Sequence, residues 1–204
     1  TMKFNPLDHP ICFETPKLVA GSNSWVEHIP FAFFIIDIIK PKVLVELGTY
    51  AGNSYCAFCQ AIQTLNLDTK AYAIDTWEGD EHGGFYGPGI LTDLRAHHDP
   101  NYASFSRLMQ MTFDEAIAYF SDGTIDFLHI DELHTYDAVK HDFETWLPKV
   151  KKDTGIIMFH DVCETKDDFG VYKLWEELQK KYKNTITFEH YHGLGVLFIN
   201  KEMF

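Results

Sequence analysis

The segment 43–54, VLVELGTYAGNS, most constrains the fold of this chain. A short, mainly apolar run ends at Gly48, and residues with helical spacing begin at Gly52. Gly48 tolerates backbone angles that a Cβ would forbid, and Gly52 lets the chain pass close to a ligand. The GxxxG spacing differs from the GxGxxG of dinucleotide sites, and the following helix N-terminus suits a carboxylate or a phosphate. The segment predicts a strand, a turn and a helix at a nucleoside cofactor; a glycine turn without a ligand is the alternative.

Short apolar runs and helical segments alternate along the rest of the chain. Strands are predicted at 42–47, 70–75, 107–111, 125–130, 155–160, 185–189 and 195–200, and helices at 24–40, 52–65, 113–120, 135–150 and 171–183. Ser24 is the expected N-cap of the first helix and Pro41 its stop. This order predicts a single α/β domain with a doubly wound, Rossmann-like, mostly parallel seven-stranded sheet. The short HGLG connection near the end predicts a hairpin that adds one antiparallel strand.

Residues 78–107 interrupt the alternation. GDEHGGFYGPG is rich in glycine, and LTDLRAHHDP resembles a helical segment closed by Pro100. A compact α/β unit needs only a few residues at this point, so the excursion is predicted to be a lid or substrate loop. Tyr86, His97 and His98 are the side chains expected to close over the substrate.

Charge and composition exclude several classes of protein. The formal net charge is −13, which disfavours nucleic acid and anionic membrane as partners and favours a neutral or cationic small substrate or an uncharged sugar. Cys56 and Cys59 form a CxxC without a second pair, which predicts packing inside a helix and no zinc site. The apolar run 31–39 is too short for a membrane span, and a cytoplasmic location (the host cytoplasm for a viral protein) is expected. Thr1 before Met2 suggests a domain taken from a longer protein.

Acidic and imidazole side chains follow four of the predicted strands. Asp75 ends AYAID, where an acid suits both ribose hydroxyls of a cofactor, with Trp77 within reach of the adenine; an N-cap beside a core tryptophan is the alternative. Asp131 follows IDFLHI, and His134 comes three residues later, where a neutral histidine can take a proton from a hydroxyl. His129, inside the strand, is predicted to be a buried histidine and not a ligand.

His160 and Asp161 end the strand GIIMFH. Burying such a polar pair without a partner is costly, so packing alone explains it poorly. Asp131 and Asp161 are expected from adjacent strands, which is how oxygen ligands of Mg²⁺ or Mn²⁺ are assembled. An aspartate that caps the following loop is the alternative.

The motifs ELGTYAGNS, AIDTW, IDFLHIDELHTY, DFETWLPK and FHD, in this order, resemble the class I S-adenosylmethionine-dependent methyltransferases. The chain is most similar to the branch fused to bacterial and viral glycosyltransferases, and WEGDEHGGFYG, DFGVYKLWEEL and HGLGV extend the resemblance over nearly the whole chain. The resemblance implies S-adenosylmethionine as cofactor, a sugar or glycan as acceptor, and glycosyltransferase domains as fused partners.

The resemblance also implies roles for individual residues. Glu46, Gly48, Gly52 and Ser54 would hold the methionine part of the cofactor, Asp75 the ribose, and Trp77, Thr112 and Phe113 the adenine, with Thr49, Tyr50 and Asn53 completing the cofactor set. Asp131 and Asp161 would bind Mg²⁺ or Mn²⁺, with His160 as a third ligand. His134 matches the general base, with Asp131 beside it in the catalytic set. The related metal-dependent enzymes usually carry a second acid or an Asn beside the later Asp, whereas Asp161 is flanked by His160 and Val162. A mechanism based on histidine alone is therefore the fallback.

The expected reaction is methylation of a sugar hydroxyl, with rhamnose as the first candidate acceptor. A metal that touches the hydroxyl would lower its pKa and fix its orientation. Two alternatives remain from the sequence. A nicotinamide-dependent oxidoreductase shares the turn and the ribose acid but lacks support from GxGxxG or a Tyr-Lys pair. A non-catalytic domain that binds cofactor or glycan would assist a fused glycosyltransferase.

Overall fold

The computed structural model describes residues 5–80, 84–131 and 134–200. Seven strands form one sheet in the order β5-β2-β1-β6-β7-β9-β8. They are β1 (Val43–Leu47), β2 (Lys70–Asp75), β5 (Ser106–Gln110), β6 (Phe127–Ile130), β7 (Ile156–His160), β8 (Thr185–Phe188) and β9 (Leu194–Phe198). The pairs within β5-β2-β1-β6-β7 are parallel, and β9 pairs antiparallel with both β7 and β8. The predicted α/β class, Rossmann-like sheet and antiparallel strand are confirmed.

Helices cover both faces of this sheet. They are α1 (Ile29–Ile39), α2 (Asn53–Thr64), α3 (Gly89–Tyr102), α4 (Phe113–Ala116), α5 (Tyr136–Trp146) and α6 (Val171–Lys181). Consecutive strand residues point to opposite faces. Accordingly Leu44 packs in the layer with α1, α2 and α3, whereas Val45 packs in the layer with α4, α5 and α6. Cys56 and Cys59 are buried in α2 as free thiols, as the sequence predicts.

Several helix boundaries differ from the prediction, and two of them concern a predicted cap or a proline. The first helix begins at Ile29, after a 3-10 turn at Val26–His28, so Ser24 is not its N-cap. Pro30 occupies the first turn, where its missing N–H costs nothing. Pro100 does not end α3, which continues to the buried Tyr102. A proline there removes one hydrogen bond near the helix end, and the packing of Tyr102 holds the last turn in place.

The excursion between β2 and β5 contains a short hairpin, β3 (Gly79–Asp80) with β4 (Gly84–Phe85), followed by α3. Only part of it fits the predicted lid. His98 is buried and bonds Ser106 of β5, and the ring of His97 packs against Tyr102. His97 and His98 therefore pack within the helical layer formed by α1, α2 and α3 on one face of the sheet, and they do not close over a substrate. No helix among the described residues combines the length and apolar character needed to cross a membrane.

Candidate active site

The polar strand ends meet in a cleft of about 350 Å³ at the carboxyl ends of β1, β2, β6 and β7. Ligands of open α/β sheets bind at this edge. The predicted site residues that line the cleft are Gly48, Thr49, Tyr50, Asp75, Asp131, His134, His160 and Asp161, together with Tyr86 of the predicted lid. The glycine turn and Asp75 form one half of the cleft. Asp131, His134, His160 and Asp161 form the other half.

Asp75 organises the glycine turn. Its Oδ2 accepts the backbone N–H groups of Thr49 at 2.9 Å and Tyr50 at 2.8 Å, and its Oδ1 accepts that of Trp77 at 2.6 Å. Tyr50 and Trp77 adopt left-handed backbone angles, with φ of 48° and 54°, which non-glycine residues rarely adopt. A carboxylate offers roughly four acceptor positions. These three bonds therefore leave one for a ligand hydroxyl while the turn keeps this shape.

Glu46 and Ser54 lie behind the turn and do not line the cleft. Glu46 is fully buried: its Oε1 accepts the Thr49 hydroxyl at 2.9 Å, and its Oε2 accepts the Ser54 hydroxyl at 2.6 Å. His129 Nδ1 contacts the same Oε2 at 2.7 Å, so His129 is buried as predicted. The two residues expected to hold the methionine part of a cofactor instead hold the turn from below.

Three residues expected around the adenine also have structural partners. The Trp77 indole is buried and donates Nε1–H to the Tyr50 carbonyl at 2.9 Å. Thr112 is the N-cap of α4 and forms a capping box with Glu115. Phe113 is buried in the core on the face of the sheet that α4, α5 and α6 cover. None of the three lines the cleft. A motif match fixes their place in the chain but does not fix which way their side chains face.

Gly52 likewise meets a side chain and not the cleft. Its φ is 89°, and a Cβ there would lie 2.5 Å from Leu94 Cδ1 of α3. The close approach predicted at this glycine is therefore between α2 and α3. Its neighbour Asn53 bonds the N-terminal arm, as described below.

Asp131, His160 and Asp161 form a compact cluster in the other half of the cleft. His160 Nδ1 lies 3.1 Å from Asp131 Oδ1 and 3.4 Å from Asp161 Oδ1. One nitrogen or oxygen atom from each residue lies within 4.8 Å of the others. Asp161 has a φ of 62°, and strain of this kind collects at functional sites. The sequence prediction that the two aspartates come from adjacent strands holds, because β6 and β7 are neighbours.

The charges in this cluster depend on one another. Burial alone would lower the pKa of His160, but the carboxylates of Asp131 and Asp161 outweigh it and hold that pKa well above its ordinary value. Burial would raise the pKa of both aspartates, yet the pKa of Asp131 is lowered chiefly by His160. Hydrogen bonds from His134 and His160 hold the pKa of Asp161 well below its usual range. The cluster thus carries two carboxylates and an imidazolium, whose proton a divalent cation would have to displace.

His134 stands beside this cluster with one ring nitrogen directed at it. Its Nε2 lies 2.9 Å from Asp161 Oδ2, whereas its Nδ1 is buried. The ring stacks on Phe169 with centroids 4.5 Å apart, and Gly170 donates its N–H to the His134 carbonyl. The loop after β7 therefore fixes the orientation of His134, and Nε2 is the nitrogen that can reach a ligand.

Several lining residues escaped the sequence analysis. Glu164 and His192 pair at 2.7 Å across the mouth of the cleft, and Ser22 forms part of its wall. They lie in loops far apart in the chain, and no motif marks them. A larger groove of about 680 Å³ runs along β5, but none of its lining residues in the described part of the chain carries a carboxylate or an imidazole. The chemistry is therefore concentrated in the cleft at the strand ends.

The turn, the acid at the end of β2 and the strand order are those of an α/β fold that binds its ligand at the carboxyl ends of the strands. A family match specifies the class further. Residues 45–162 match the family described as "Methyltransferase domain", which spans more than half of the chain. The chain belongs to this family of methyltransferase domains. It is also 41% identical over 188 residues to the uncharacterized protein y4gI of Sinorhizobium fredii. That match covers 92% of this chain but only 20% of the relative, so the chain spans about a fifth of its length.

Solved structures share the fold. A candidate caffeoyl-CoA O-methyltransferase from Staphylococcus aureus superposes with a TM-score of 0.64 and 16% identity, over 89% of this chain and 85% of that one. The methyltransferase PaMTH1 of Podospora anserina, bound to S-adenosylhomocysteine, gives 0.62 and 12%, with 91% of each chain covered. The O-methyltransferase TomG of Streptomyces achromogenes, in complex with S-adenosylmethionine, gives 0.61 and 12%, over 91% and 93%. At sequence identities of 12% to 16%, the similarity to these three proteins shows a shared fold alone.

Proposed function

We propose that this chain transfers the methyl group of S-adenosylmethionine to a hydroxyl group of a glycan, with a terminal rhamnose as the first acceptor to test. One observation carries the proposal: the glycine turn and the Asp131–His134–Asp161 group face the same cleft. A methyl transferase needs this combination, because the donor must lie within reach of the base that deprotonates the acceptor.

The charge of the cleft supports a neutral acceptor. Asp131, Asp161 and Glu164 line it, and none of the lining residues that the structure describes is Lys or Arg. A phosphate or a coenzyme A ester would meet repulsion there, whereas the sulfonium cation of the donor is attracted. Tyr50 and Phe169 add aromatic surface against which the apolar face of a deoxy sugar can pack.

In the proposed mechanism the acceptor hydroxyl takes the place of Asp161 Oδ2 at His134 Nε2, and this nitrogen removes the proton of the hydroxyl. The oxygen attacks the methyl carbon in line, the new O–CH₃ bond forms, and the S–CH₃ bond breaks with its electron pair returning to sulfur. The products are the methyl ether and S-adenosylhomocysteine, and the proton stays on His134. The carboxylate of Asp161, whose Oδ2 lies 2.9 Å from His134 Nε2 in the structure, stabilises the charged form of His134 that results. A base placed in this way typically contributes about 10²- to 10⁴-fold to the rate.

Asp131, His160 and Asp161, at the ends of β6 and β7, also fit a divalent cation. Asp131 and Asp161 offer carboxylate oxygens, His160 offers a nitrogen, and the three donor atoms already lie within 4.8 Å of each other. Oxygen donors suit Mg²⁺, and a set that includes imidazole suits Mn²⁺ better. A bound cation would lower the pKa of the acceptor hydroxyl and fix its orientation.

The proposal extends to the setting of the domain. The matched relative is about five times longer than the region shared with this chain, which supports a domain within a longer polypeptide. The motif resemblance to methyltransferases fused to glycosyltransferases, and to the C-terminal domain of a chlorovirus multidomain rhamnosyltransferase, makes a glycosyltransferase the fused partner that we propose. A non-catalytic domain that binds cofactor or glycan is the alternative, and it predicts donor binding without turnover.

Replacement of His134 by Ala tests the mechanism. The variant should bind S-adenosylhomocysteine as the wild type does, but methyl transfer to a rhamnosylated acceptor should fall by about 100-fold or more. Isotope-labelled donor at saturating concentration measures the transfer, and calorimetry measures the binding. His141→Ala, on the exposed side of α5, is the matched control and should retain full activity. Wild-type turnover by His134→Ala would rule out this base, and a wild type that binds donor without turnover would favour the non-catalytic domain.

Removal of divalent metal tests the cation. Exhaustive chelation should lower the methyl-transfer rate, and added Mn²⁺ or Mg²⁺ should restore it, because a sugar hydroxyl is too weak an acid for unaided deprotonation. Asp131→Asn should show little restoration, since one carboxylate ligand is lost. Full activity after chelation would remove the cation from the scheme and leave the mechanism based on histidine alone.

A further inference from the structure

Residues 20–24 cross the N-terminal end of α2 and form one wall of the cleft; we call this segment the strap. Ser22 and Ser24 line the cleft together with the glycine turn. A Cβ on Gly21 would lie 2.7 Å from Tyr50 Cε1, so the strap rests directly on that turn. The strap precedes both the first strand of the sheet and the region that matches the methyltransferase family.

Asn53, the first residue of α2, holds the strap through three hydrogen bonds. Its Oδ1 accepts the Ala20 N–H at 2.8 Å, and its Nδ2 donates to the carbonyls of Ala20 at 2.7 Å and Ser22 at 2.8 Å. Both amide protons are therefore in use, and the side chain is nearly buried. We infer that Asn53 is a positioning residue for the methyl donor and not a cofactor ligand: it fixes the strap over the glycine turn. This inference rests on the proposed function.

The strap depends on such side-chain contacts because its own backbone forms no helix or strand. Beyond the strap, a different set of contacts anchors the chain. Trp25 is buried, His28 Nε2 lies 3.3 Å from the Tyr191 carbonyl, and the Tyr191 hydroxyl bonds Glu27, which raises the pKa of Tyr191. These contacts fix the start of α1 but do not touch residues 20–22. The part of the strap that faces the donor turn is therefore held mainly by Asn53.

Gln60 provides a matched comparison on the same helix. Its Oε1 accepts the Lys17 N–H at 2.8 Å, and its Nε2 donates to the Thr15 carbonyl at 3.0 Å. Like Asn53 it is buried and fastens the N-terminal arm to α2, but it does so outside the cleft. The two amides thus make similar bonds and differ in their distance from the donor turn.

The test compares Asn53→Ala with Gln60→Ala. We expect Asn53→Ala to raise the Kd for S-adenosylhomocysteine, measured by calorimetry, by about 10- to 100-fold, because three hydrogen bonds to the strap are lost. The KM for the donor should rise more than the KM for the acceptor. Gln60→Ala should lower Tm by about as much as Asn53→Ala does, but it should leave the Kd for S-adenosylhomocysteine unchanged. Asn53→Asp, which keeps the shape but sets a carboxylate against two carbonyl oxygens, should weaken binding at least as much.

The outcomes separate this role from the proposed function. A folded Asn53 variant with wild-type affinity for S-adenosylhomocysteine would overturn the positioning role alone. An equal loss of affinity in Gln60→Ala would overturn it too, because the effect would then belong to the whole arm. Absence of S-adenosylhomocysteine binding by the wild type would overturn the proposed function and this role with it.

Discussion

Asp142 places a carboxyl group on the buried face of α5, between Val139 and Trp146. Burial raises the pKa of Asp142 to about 7; the nearby Asp114 also raises it, and His141 lowers it. The folded protein therefore retains this proton between about pH 4 and pH 7, where the unfolded chain has lost it. Because the native state binds more protons in that window, the free energy of unfolding falls as the pH rises from about 4 to 7.

Asp142→Asn should remove this pH dependence. At pH 8 the variant should be more stable than the wild type by roughly 2–4 kcal/mol, since it no longer buries an ionised carboxylate. Urea unfolding at pH 5, 6, 7 and 8 measures the effect. Asp137→Asn, an exposed position on the same helix, should keep the wild-type slope. Parallel pH profiles for the wild type and Asp142→Asn would contradict the assignment.

At the residue scale, sequence reasoning located the strand-end side chains but not all of their partners. Asp75, Asp131 and Asp161 were predictable because each follows an apolar run, and parallel strands bring such positions to one edge. Strand alternation places Glu46 of β1 on the same face as Leu44, but its partner was not predictable. His129, which contacts the Glu46 carboxylate, lies 83 residues later in the sequence.

One polar network joins three elements beneath the sheet. Ser106 of β5 bonds Tyr55 of α2 at 2.6 Å and His98 of α3 at 2.7 Å, and His98 contacts Asp99 at 2.8 Å. The order Ser–His–Asp resembles a nucleophile with its base. Ser106 and His98 are each only 1% exposed, so no substrate can reach them. The network therefore fastens the elements together.

Ser106→Ala should destabilise the protein without affecting the donor site. The change leaves the Tyr55 hydroxyl and His98 Nε2 buried without their partner, which costs roughly 1–3 kcal/mol. Denaturant unfolding should show a lower midpoint, and calorimetry should show an unchanged Kd for S-adenosylhomocysteine. The exposed Ser121→Ala serves as control. An unchanged midpoint in Ser106→Ala would mean that the network does not stabilise the fold.

At the element scale, the sequence predicted strands better than the N-terminal arm. β2 was predicted at its observed limits because the run is apolar and ends at a polar residue. Helix α1 was placed too early, since Ser24 resembles an N-cap only when long-range contacts are ignored. The strap at 20–24 is shaped by Asn53, more than two dozen residues later, and such a contact leaves no local pattern.

At the scale of the whole molecule, the sheet brings together two halves of the cleft from separate parts of the sequence. The turn after β1 and the acid at the end of β2 line the half where we propose that the donor binds, and residues at the ends of β6 and β7 line the half proposed for the acceptor. Alternation of strands and helices predicts this geometry, because it fixes a parallel sheet with its active edge at the carboxyl ends. The net charge of −13 agrees with a cationic donor and a neutral acceptor.

A ligand that binds only the native state must stabilise the whole domain. S-adenosylhomocysteine at about 100 times its Kd should add roughly 2.7 kcal/mol and raise Tm by roughly 5–10 °C for a chain of this size. NADH at the same concentration should leave Tm unchanged, because the turn lacks the GxGxxG spacing. His134→Ala should show the wild-type shift, since the role that we propose for His134 concerns the acceptor and not the donor. A shift with NADH and none with S-adenosylhomocysteine would contradict the donor site, because a ligand stabilises the protein appreciably only when its concentration exceeds its Kd for the folded state.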